Sequence, residues 1–504
     1  MSIGKTANRR PTCLYRMYYV YVYAYLLTII LLLTCTRSIV AEEISHQQAT
    51  KALRQAVVFF RTQVSIEGGY LWQYSSDLKK REGEGKAAPS MAWVQPPGTP
   101  SIGRAYLLAY QRTGDAYYLE AAIETGMALV KGQLKSGGWD YRIEFDTKKR
   151  EKYAYIADGE FAGTRNTSTL DDNTTQSALS FLIRLDQTLR FQNTNIHTVA
   201  IAGLEALLKS QYPNGAWPQR FADYPKTADF PVRSANYPDS WPRTYPRQDY
   251  RGFYTFNDNT IADTIYLMLD AAEIYNQEKY RQSALKAGDF ILLAQMPDPQ
   301  PAWAQQYNPA GQPAWARKFE PPAVTGGESQ GVMRTLIQLY RRTGEKKYLD
   351  SIPRALDYLQ SSLLTDGKLA RFYELKTNRP LYFTKQYELV YTDDDLPTHY
   401  SFKVSSKLTA IRRQYEAALT LGADLAHPSA KEGDQTTTEE SISWSESLAK
   451  DAAEAIRTMD DRGAWVENGR LRYHGDDDPT RKIISCRTFI QHVDTLSSYL
   501  SSTK

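Results

Sequence analysis

The chain has 504 residues, of which 42% are hydrophobic and 23% charged, and its formal net charge at pH 7 is +4. Residues 1–41 contain five basic side chains and no acidic ones, so the remainder is close to neutral. A near-neutral chain has no general attraction for nucleic acid, and an anionic partner must be bound by a local cluster of charges.

Residues 1–41 have the features of a secretory signal. Basic residues precede an apolar run from Met17 to Leu33, and SIVA at 38–41 offers a cleavage site. The run is long for a signal peptide, so an uncleaved membrane anchor is the alternative. We therefore expect a secreted or periplasmic protein that is exported by this segment or anchored through it.

The use of cysteine and histidine disfavours several enzyme classes. Cys13 and Cys35 lie in the predicted signal, which leaves Cys486 without a partner for an internal disulfide. The six histidines are scattered, with no HExxH motif and no Ser-His-Asp signature. A histidine-ligated metal hydrolase and a triad hydrolase are both disfavoured.

Residues 44–427 repeat a coarse unit of two helices joined by a turn. Each unit ends in a Gly- or aromatic-rich segment and opens with a small or polar loop. These opening loops are PPGTPSIG at 96–103, LDDNTTQS at 170–177, FNDNTIAD at 256–263 and VTGGESQG at 324–331. Helix pairs repeated in this way stack as a solenoid or close as an α/α barrel, and closure would bring equivalent loops to one face.

Two Asp-Asn pairs, Asp172-Asn173 and Asp258-Asn259, each stand directly before a helix-like run. Asp and Asn are good N-caps because their side-chain oxygens accept from free N–H groups of the first helical turn. Two copies facing one cleft would instead bring two carboxylates to a site for a hard cation such as calcium. The spacing leaves both interpretations open.

Arginines recur beside aromatic residues near the unit ends: Arg220 in WPQRF, Arg317 in AWARKFEPP, Arg371 in LARFYEL and Arg379 in TNRPL. Arginine forks match carboxylates, so the recurrence favours a cleft for an acidic ligand. The alternative is that each arginine is solvated or pairs with a nearby glutamate such as Glu320 or Glu374. The tryptophans of these segments predict core positions, with one or two as platforms for sugar rings.

Several blocks together resemble the polysaccharide lyase family 10 pectate lyases: TLDDNTTQSALSFL, QYPNGAWPQRF, YTFNDNTIADTIYLMLDAA, AWARKFEPPAVTGGES and ARFYELKTNRPLYF. They stand in family order between about residues 160 and 385. The resemblance implies an all-α fold, an α/α barrel (toroid) of repeated helical hairpins with long irregular loops. It also implies an enzyme that cleaves polygalacturonate, an acidic polysaccharide, by calcium-assisted β-elimination.

The resemblance also assigns site residues by position. It implies Asp172 and Asp258 at the Ca²⁺ site, Arg317 as the catalytic base, and Arg371 and Lys385 as substrate-binding residues. The pattern of aromatic and basic residues at the unit ends adds Arg220 and Trp217 as predicted substrate-binding residues. Lys385 stands where the family has an arginine, so the charge is kept and the fork is lost. An arginine base requires nearby cations that favour its neutral form, and we therefore expect an alkaline optimum.

Composition, the repeat and the resemblance together divide the chain into four segments. We expect a signal peptide or anchor at 1–41, a catalytic domain at 42–426, a flexible loop at 427–442, and a C-terminal helical segment at 443–504 that completes or caps the barrel. Residues 222–250, rich in Pro, Tyr and Arg, predict an ordered loop over the site or a plain insertion. The chain also departs from the family pattern at Ala216, in TKQYEL after NRP, and around 395–405.

Two alternative functions stay open. A different α/α-toroid polysaccharide-degrading enzyme, such as a glycosidase, needs a paired acid and base, for which Glu328 and Glu374 are candidates. A non-catalytic secreted or membrane-anchored binder of acidic polysaccharide would keep the arginines without a working base. In every case we expect no nucleic acid partner and no obligate protein partner.

Overall fold

The computed structural model describes residues 44–423 and 444–502, together with Met1 and Gly4. The predicted signal at 1–41 otherwise lies outside the described residues, as does the predicted loop at 427–442. Among the helices that the structure describes, none is long and apolar enough to span a bilayer. The signal, the loop and the division into four segments stay predictions.

Helices account for most of the regular structure. They are α1 (His46–Phe59), α2 (Thr99–Thr113), α3 (Ala116–Gly132), α4 (Thr147–Arg150), α5 (Thr174–Thr188), α6 (Thr194–Ser210), α7 (Thr260–Tyr275), α8 (Glu278–Leu293), α9 (Glu328–Thr343), α10 (Lys347–Asp350), α11 (Ile352–Ser361), α12 (Leu408–Leu421), α13 (Glu446–Thr458) and α14 (Cys486–Ser502).

The strands are short, and several pairs of them join the start of a unit to its own aromatic tail. They are β1 (Gln73–Ser75), β2 (Arg81–Gly83), β3 (Gly85–Lys86), β4 (Met91–Trp93), β5 (Arg142–Glu144), β6 (Ser168–Thr169), β7 (Arg220–Phe221), β8 (Tyr254–Thr255), β9 (Gln306–Tyr307), β10 (Ala323–Thr325), β11 (Leu369–Ala370), β12 (Phe372–Glu374), β13 (Pro380–Phe383), β14 (Leu389–Val390), β15 (Lys403–Val404), β16 (Val466–Asn468) and β17 (Lys482–Ser485).

The helical hairpins are arranged as an α/α toroid, as predicted. Helix α2 packs against α5, α5 against α7, and α9 against α12. An ion pair of 2.9 Å between Arg342 and Asp270 joins α9 to α7. The first and last helices of the described part of the chain lie side by side. Helix α14 packs against both α1 and α2, and the Tyr499 hydroxyl donates to the Ile44 carbonyl at 2.6 Å.

The first helix of a hairpin lies inside the toroid. In α5 every residue from Thr174 to Ile183 is buried, including Thr175, Gln176 and Ser177. A helix that is buried all round has packing partners on every side, which identifies it as an inner helix. Thr174, Thr175, Gln176 and Ser177 make its first turn polar, at the end of the toroid where the opening loops lie.

Paired strands join the opening loop of a unit to the aromatic tail of the same unit. Strand β6 pairs with β7 with Ser168 opposite Phe221, and β8 pairs with β9 with Tyr254 opposite Tyr307. Because the two pairs occupy equivalent positions in successive units, they repeat one arrangement along the wall. The Asp-Asn loops and the aromatic tails therefore come together at one end of the toroid.

The tryptophans at the unit ends are core residues. The indole nitrogens of Trp139, Trp217 and Trp303 donate to the carbonyls of Leu129, Leu207 and Ile291, each near the end of the preceding helix. All three tryptophans have zero exposed area. The prediction that Trp217 binds substrate is therefore wrong, because a side chain with no exposed area cannot contact a polysaccharide.

Replacing Trp217 with Ala should lower the free energy of unfolding by about 3–5 kcal/mol, because the change leaves a cavity and an unpaired Leu207 carbonyl. Denaturant unfolding at equilibrium measures the change. Trp444, which is 53% exposed, provides the matched control, and W444A should alter the free energy of unfolding by no more than about 0.5 kcal/mol. Equal effects of the two substitutions would contradict a core role for Trp217.

Candidate active site

Both Asp-Asn pairs adopt the left-handed backbone conformation at two consecutive residues. The φ angles are 50° at Asp172 and 58° at Asn173, and 48° at Asp258 and 58° at Asn259. Asp and Asn tolerate this region better than other residues with a Cβ atom, yet it still costs about 1 kcal/mol per residue. Such strain persists only where the surrounding structure holds it, and it is common at functional sites.

The capping interpretation of these pairs is wrong. Helices α5 and α7 begin at Thr174 and Thr260, and no side chain caps either helix through a hydrogen bond. The left-handed backbone turns the side chains of Asp172 and Asp258 away from the N–H groups of the first turn. Neither carboxylate therefore caps a helix.

Equivalent hydrogen bonds fix the backbone of the two loops. Thr169 accepts from the backbone N–H of Asp171 at 3.2 Å, and Thr255 accepts from that of Asn257 at the same distance. Thr174 and Thr260 donate to the carbonyls of Asp171 and Asn257 at 2.9 and 3.0 Å. A hydroxyl on each side of the turn therefore holds the strained residues in place.

The structure brings three carboxylates together. One oxygen from each of Asp171, Asp172 and Asp258 lies within 4.8 Å of the others. Sequence analysis identified Asp172 and Asp258 but missed Asp171. Its position beside Asp172 was the available signal, although the second loop has Asn257 at the equivalent position.

Asp171 is held by neighbouring side chains. It accepts from the Tyr141 hydroxyl at 2.6 Å and from the Gln219 amide at 3.0 Å, and Arg220 lies 3.4 Å from the same carboxylate. Gln219 and Arg220 belong to the WPQR segment, so that segment contacts the carboxylate cluster through these two residues. Sequence analysis identified Arg220 but not Gln219 or Tyr141.

The other two carboxylates are crowded and poorly neutralised. Burial and the negative charge of Asp171 raise the pKa of Asp172 to about 6. Burial and the charges of Asp172 and Asp171 likewise raise the pKa of Asp258. Asp258 accepts from the Asn257 amide at 2.6 Å, whereas no side chain among the described residues donates a hydrogen bond to the Asp172 carboxylate. A bound cation would relieve this repulsion.

The cluster has the chemistry and size of a calcium site. Calcium takes oxygen ligands at 2.3–2.6 Å, so two ligand oxygens on one ion lie up to about 5 Å apart. The three carboxylate oxygens meet this limit. Asp172 and Asp258, the predicted ligands, would hold the ion, and Asp171 would add a third negative charge nearby.

Arg317 lies near this cluster and is paired with a buried acid. It donates to the Glu320 carboxylate at 2.6 Å, and the Tyr400 hydroxyl donates to the same carboxylate at 3.0 Å. The charge of Arg317 opposes the upward pKa shifts of Asp172 and Asp258. Burial opposes the charge of Arg317 itself, but Glu320, Tyr400 and Asp258 together outweigh burial and raise the pKa of Arg317. The charge of Arg317 is therefore stabilised when the cleft holds no substrate.

The remaining predicted binding residues occupy different places. Arg371 pairs with Glu328 at 3.1 Å and donates to the Ser401 carbonyl at 2.7 Å. Its guanidinium lies 4.7 Å from the centre of the Tyr400 ring, which links it to the residues around Arg317. Lys385 pairs with Asp395 at 3.0 Å, and its side chain is 59% exposed, in a turn between β13 and β14.

The two glutamates considered as glycosidase acids are both engaged. Glu328 pairs with Arg371. Glu374 pairs with Arg243 and accepts from the hydroxyls of Tyr391 and Thr377. Because cations and donors hold both carboxylates, neither provides a ready proton donor beside Asp172.

The part of the chain that carries this site is similar to a known protein family. Residues 133–339, less than half of the chain, match the sequence model of the family described as Pectic acid lyase. This segment contains Asp171, Asp172, Arg220, Asp258 and Arg317. None of the curated proteins matches the chain in sequence.

Solved structures of similar architecture show low identity. Family 10 polysaccharide lyase from Cellvibrio cellulosa is 19% identical with a TM-score of 0.43, over 64% of this chain and 97% of its own. A mutant of that lyase in complex with trigalacturonic acid gives 19%, 0.42, 64% and 98%. The GH76 alpha-mannanase from Bacteroides thetaiotaomicron is 10% identical with a TM-score of 0.39, over 90% of this chain and 96% of its own. Likenesses this distant say nothing about activity.

The family match covers four of the five resembling blocks and the segment that carries the carboxylate cluster; ARFYELKTNRPLYF lies outside it. It confirms the predicted resemblance over residues 133–339. This segment of the chain is therefore similar to a pectic acid lyase, which supports an enzyme of the polysaccharide lyase type.

Proposed function

We propose that this protein cleaves polygalacturonate by calcium-assisted β-elimination, with Arg317 as the base. The observation that supports the proposal most strongly is the meeting of the two Asp-Asn loops, which places Asp172 and Asp258 together near Arg317. In the reaction, the C5–H and C4–O bonds break and a C4=C5 double bond forms. The leaving oxygen takes a proton from water.

The charges of the site suit this reaction. The C5 proton becomes more acidic when the adjacent uronate carboxylate is neutralised, and bound calcium would contribute to that neutralisation. Arg220 and Arg371 would bind uronate carboxylates, and Lys385 would contribute a further positive charge at the cleft edge. Each of these roles is a proposal that rests on position and charge.

The pair between Arg317 and Glu320 orients the proposed base. Two contacts fix Glu320, which is 1% exposed: the Arg317 guanidinium and the Tyr400 hydroxyl. For Arg317 to accept the C5 proton it must first become neutral, and a cation bound at Asp172 and Asp258 would favour this change. Higher pH favours it as well, in agreement with the expected alkaline optimum.

Ultraviolet absorbance of polygalacturonate should rise when the chain without residues 1–41 is added with calcium, because the product contains a C4=C5 double bond. A chelator should abolish the rise, and added calcium should restore it. A rise that persists in chelator would contradict the calcium requirement. Binding of the polymer without any rise from pH 7 to pH 10 would identify a non-catalytic binder.

Replacing Arg317 with Lys should lower kcat by about 10²- to 10⁴-fold, the range expected when a positioned proton acceptor is lost. Lysine keeps the positive charge but not the geometry of the fork, so binding of polygalacturonate should change by only a few-fold. Arg412, which pairs with Asp357 at 3.0 Å on the outer surface, provides the matched control R412K. A kcat for R317K near that of R412K would show that the guanidinium of Arg317 is not required and would contradict the predicted fall.

Replacing Asp172 with Asn should raise the thermal stability at pH 8 in chelator, by on the order of 2 °C. The pKa of Asp172 is raised from 3.8 to about 6 on folding, so ionisation of this carboxyl destabilises the fold above pH 6. Below pH 4 the carboxyl is protonated in both states, and the difference between the two proteins should disappear.

Calorimetry at both pH values measures this effect. Calcium should raise the Tm of the wild type at pH 8 by mass action, and it should have little effect on D172N. A Tm of D172N below that of the wild type at pH 8 in chelator would show that Asp172 makes a stabilising contact instead.

A further inference from the structure

Residues 241–251, called the strap below, are fixed to the part of the chain that carries Arg317. The Trp315 indole donates to the Pro242 carbonyl at 2.8 Å, and the Gln248 amide donates to the Trp315 carbonyl at 3.0 Å. The ring of Tyr245 lies 5.8 Å from that of Trp315. Because Trp315 is 1% exposed, this anchor belongs to the protein core.

The strap is also fixed near the other side of the carboxylate cluster. The backbone N–H of Arg220 donates to the Arg251 carbonyl at 3.1 Å. Charges from both sides of the cluster act on Tyr250. Burial and Glu320 raise the pKa of Tyr250, while Arg317 and Arg220 oppose this shift. The strap therefore runs from the Arg317 side to the Arg220 side, as a loop over the site would.

The strap and Arg220 form a cavity of about 300 Å³. This volume is at the lower end of the range for small-ligand sites. Six residues line it: Arg220, Arg247, Gln248, Asp249, Tyr250 and Arg251. Three of the six are arginines and one is an acid. Arg220 also contacts Asp171, so the cavity adjoins the carboxylate cluster.

Arg247 is the arginine of this cavity that is available to a ligand. Arg251 forms a fork with Asp249 at 2.8 and 2.9 Å, and Arg220 is shared with Asp171. Within the part of the chain that the structure describes, Arg247 forms no ion pair. Its φ angle is 55°, a conformation that is costly for a residue with a long side chain and that recurs at ligand clamps.

We propose that the strap forms an additional uronate subsite, in which Arg247 binds the carboxylate of a sugar beyond the cleaved bond. The inference rests on the proposed function for the identity of the polymer. A guanidinium fork matches a carboxylate, and Gln248 and Tyr250 offer hydrogen bonds to sugar hydroxyls. The subsite would make Arg247 a specificity-determining residue for chain length and for free acid groups.

The test is the affinity of the full chain for oligogalacturonates, measured by calorimetry with calcium present. Replacing Arg247 with Asn removes the charge, and Asn tolerates the left-handed backbone. R247N should weaken binding of a hexamer about tenfold, the loss of one charge-assisted contact. Binding of a trimer that occupies only the central subsites should be unchanged. R247K should recover part of the affinity because it restores the charge.

Arg233 provides the matched control, because it is an exposed arginine of the same insertion that does not line this cavity. R233N should bind both oligomers like the wild type. Equal affinities of R247N and R233N for the hexamer would overturn the inference. So would an equal loss of affinity for trimer and hexamer, since that result would place Arg247 at the central subsites.

The same samples separate this inference from the proposed function. If the wild type shows no lyase activity but R247N loses affinity for the hexamer alone, the subsite stands and the proposed reaction fails. If the wild type is an active lyase and R247N binds like R233N, the reaction stands and the subsite fails. Loss of hexamer binding should also raise KM for polygalacturonate without a matching fall in kcat.

Discussion

The left-handed backbone at the two Asp-Asn pairs is the constraint on which the site depends. It turns Asp172 and Asp258 away from the helices that follow them and toward each other. This backbone conformation is strained, and the flanking threonines hold it through hydrogen bonds. Short strand pairs then join each loop to the tail of its own unit. The same arrangement in successive units makes two neighbouring loops into one carboxylate cluster.

The charges around this cluster divide into two groups. Asp171 is held by Tyr141, Gln219 and Arg220, and so it fixes the wall of the site. Asp172 and Asp258 are less well neutralised, and they carry the unfavourable charge that a cation would relieve. Arg317 stays charged beside Glu320. The proposed lyase reaction depends on both groups of charges. The uronate carboxylate must be neutralised, and Arg317 must become neutral before it can accept the C5 proton.

The sequence predicted the all-α toroid and the resemblance to pectate lyases because both depend on local sequence patterns. Helical periodicity, the turns between paired helices and the ordered blocks from TLDDN to NRPLYF depend on residues near one another in the chain. Asp172, Asp258, Arg220 and Arg317 were found in the same way. Trp217 was misassigned because an aromatic residue beside an arginine has the same sequence pattern in a core as in a cleft.

By itself, the sequence determined the fold class, the two Asp-Asn loops and the resemblance to pectate lyases, since each follows from the order of residues. Only the tertiary structure decided which carboxylates meet, which acid each arginine contacts and where the 222–250 insertion lies. Asp171, Glu320 and Arg247 gain their significance from contacts or cavities made by distant segments. Pair distances and burial arise only when the units close into a ring, and they set the charge of the site.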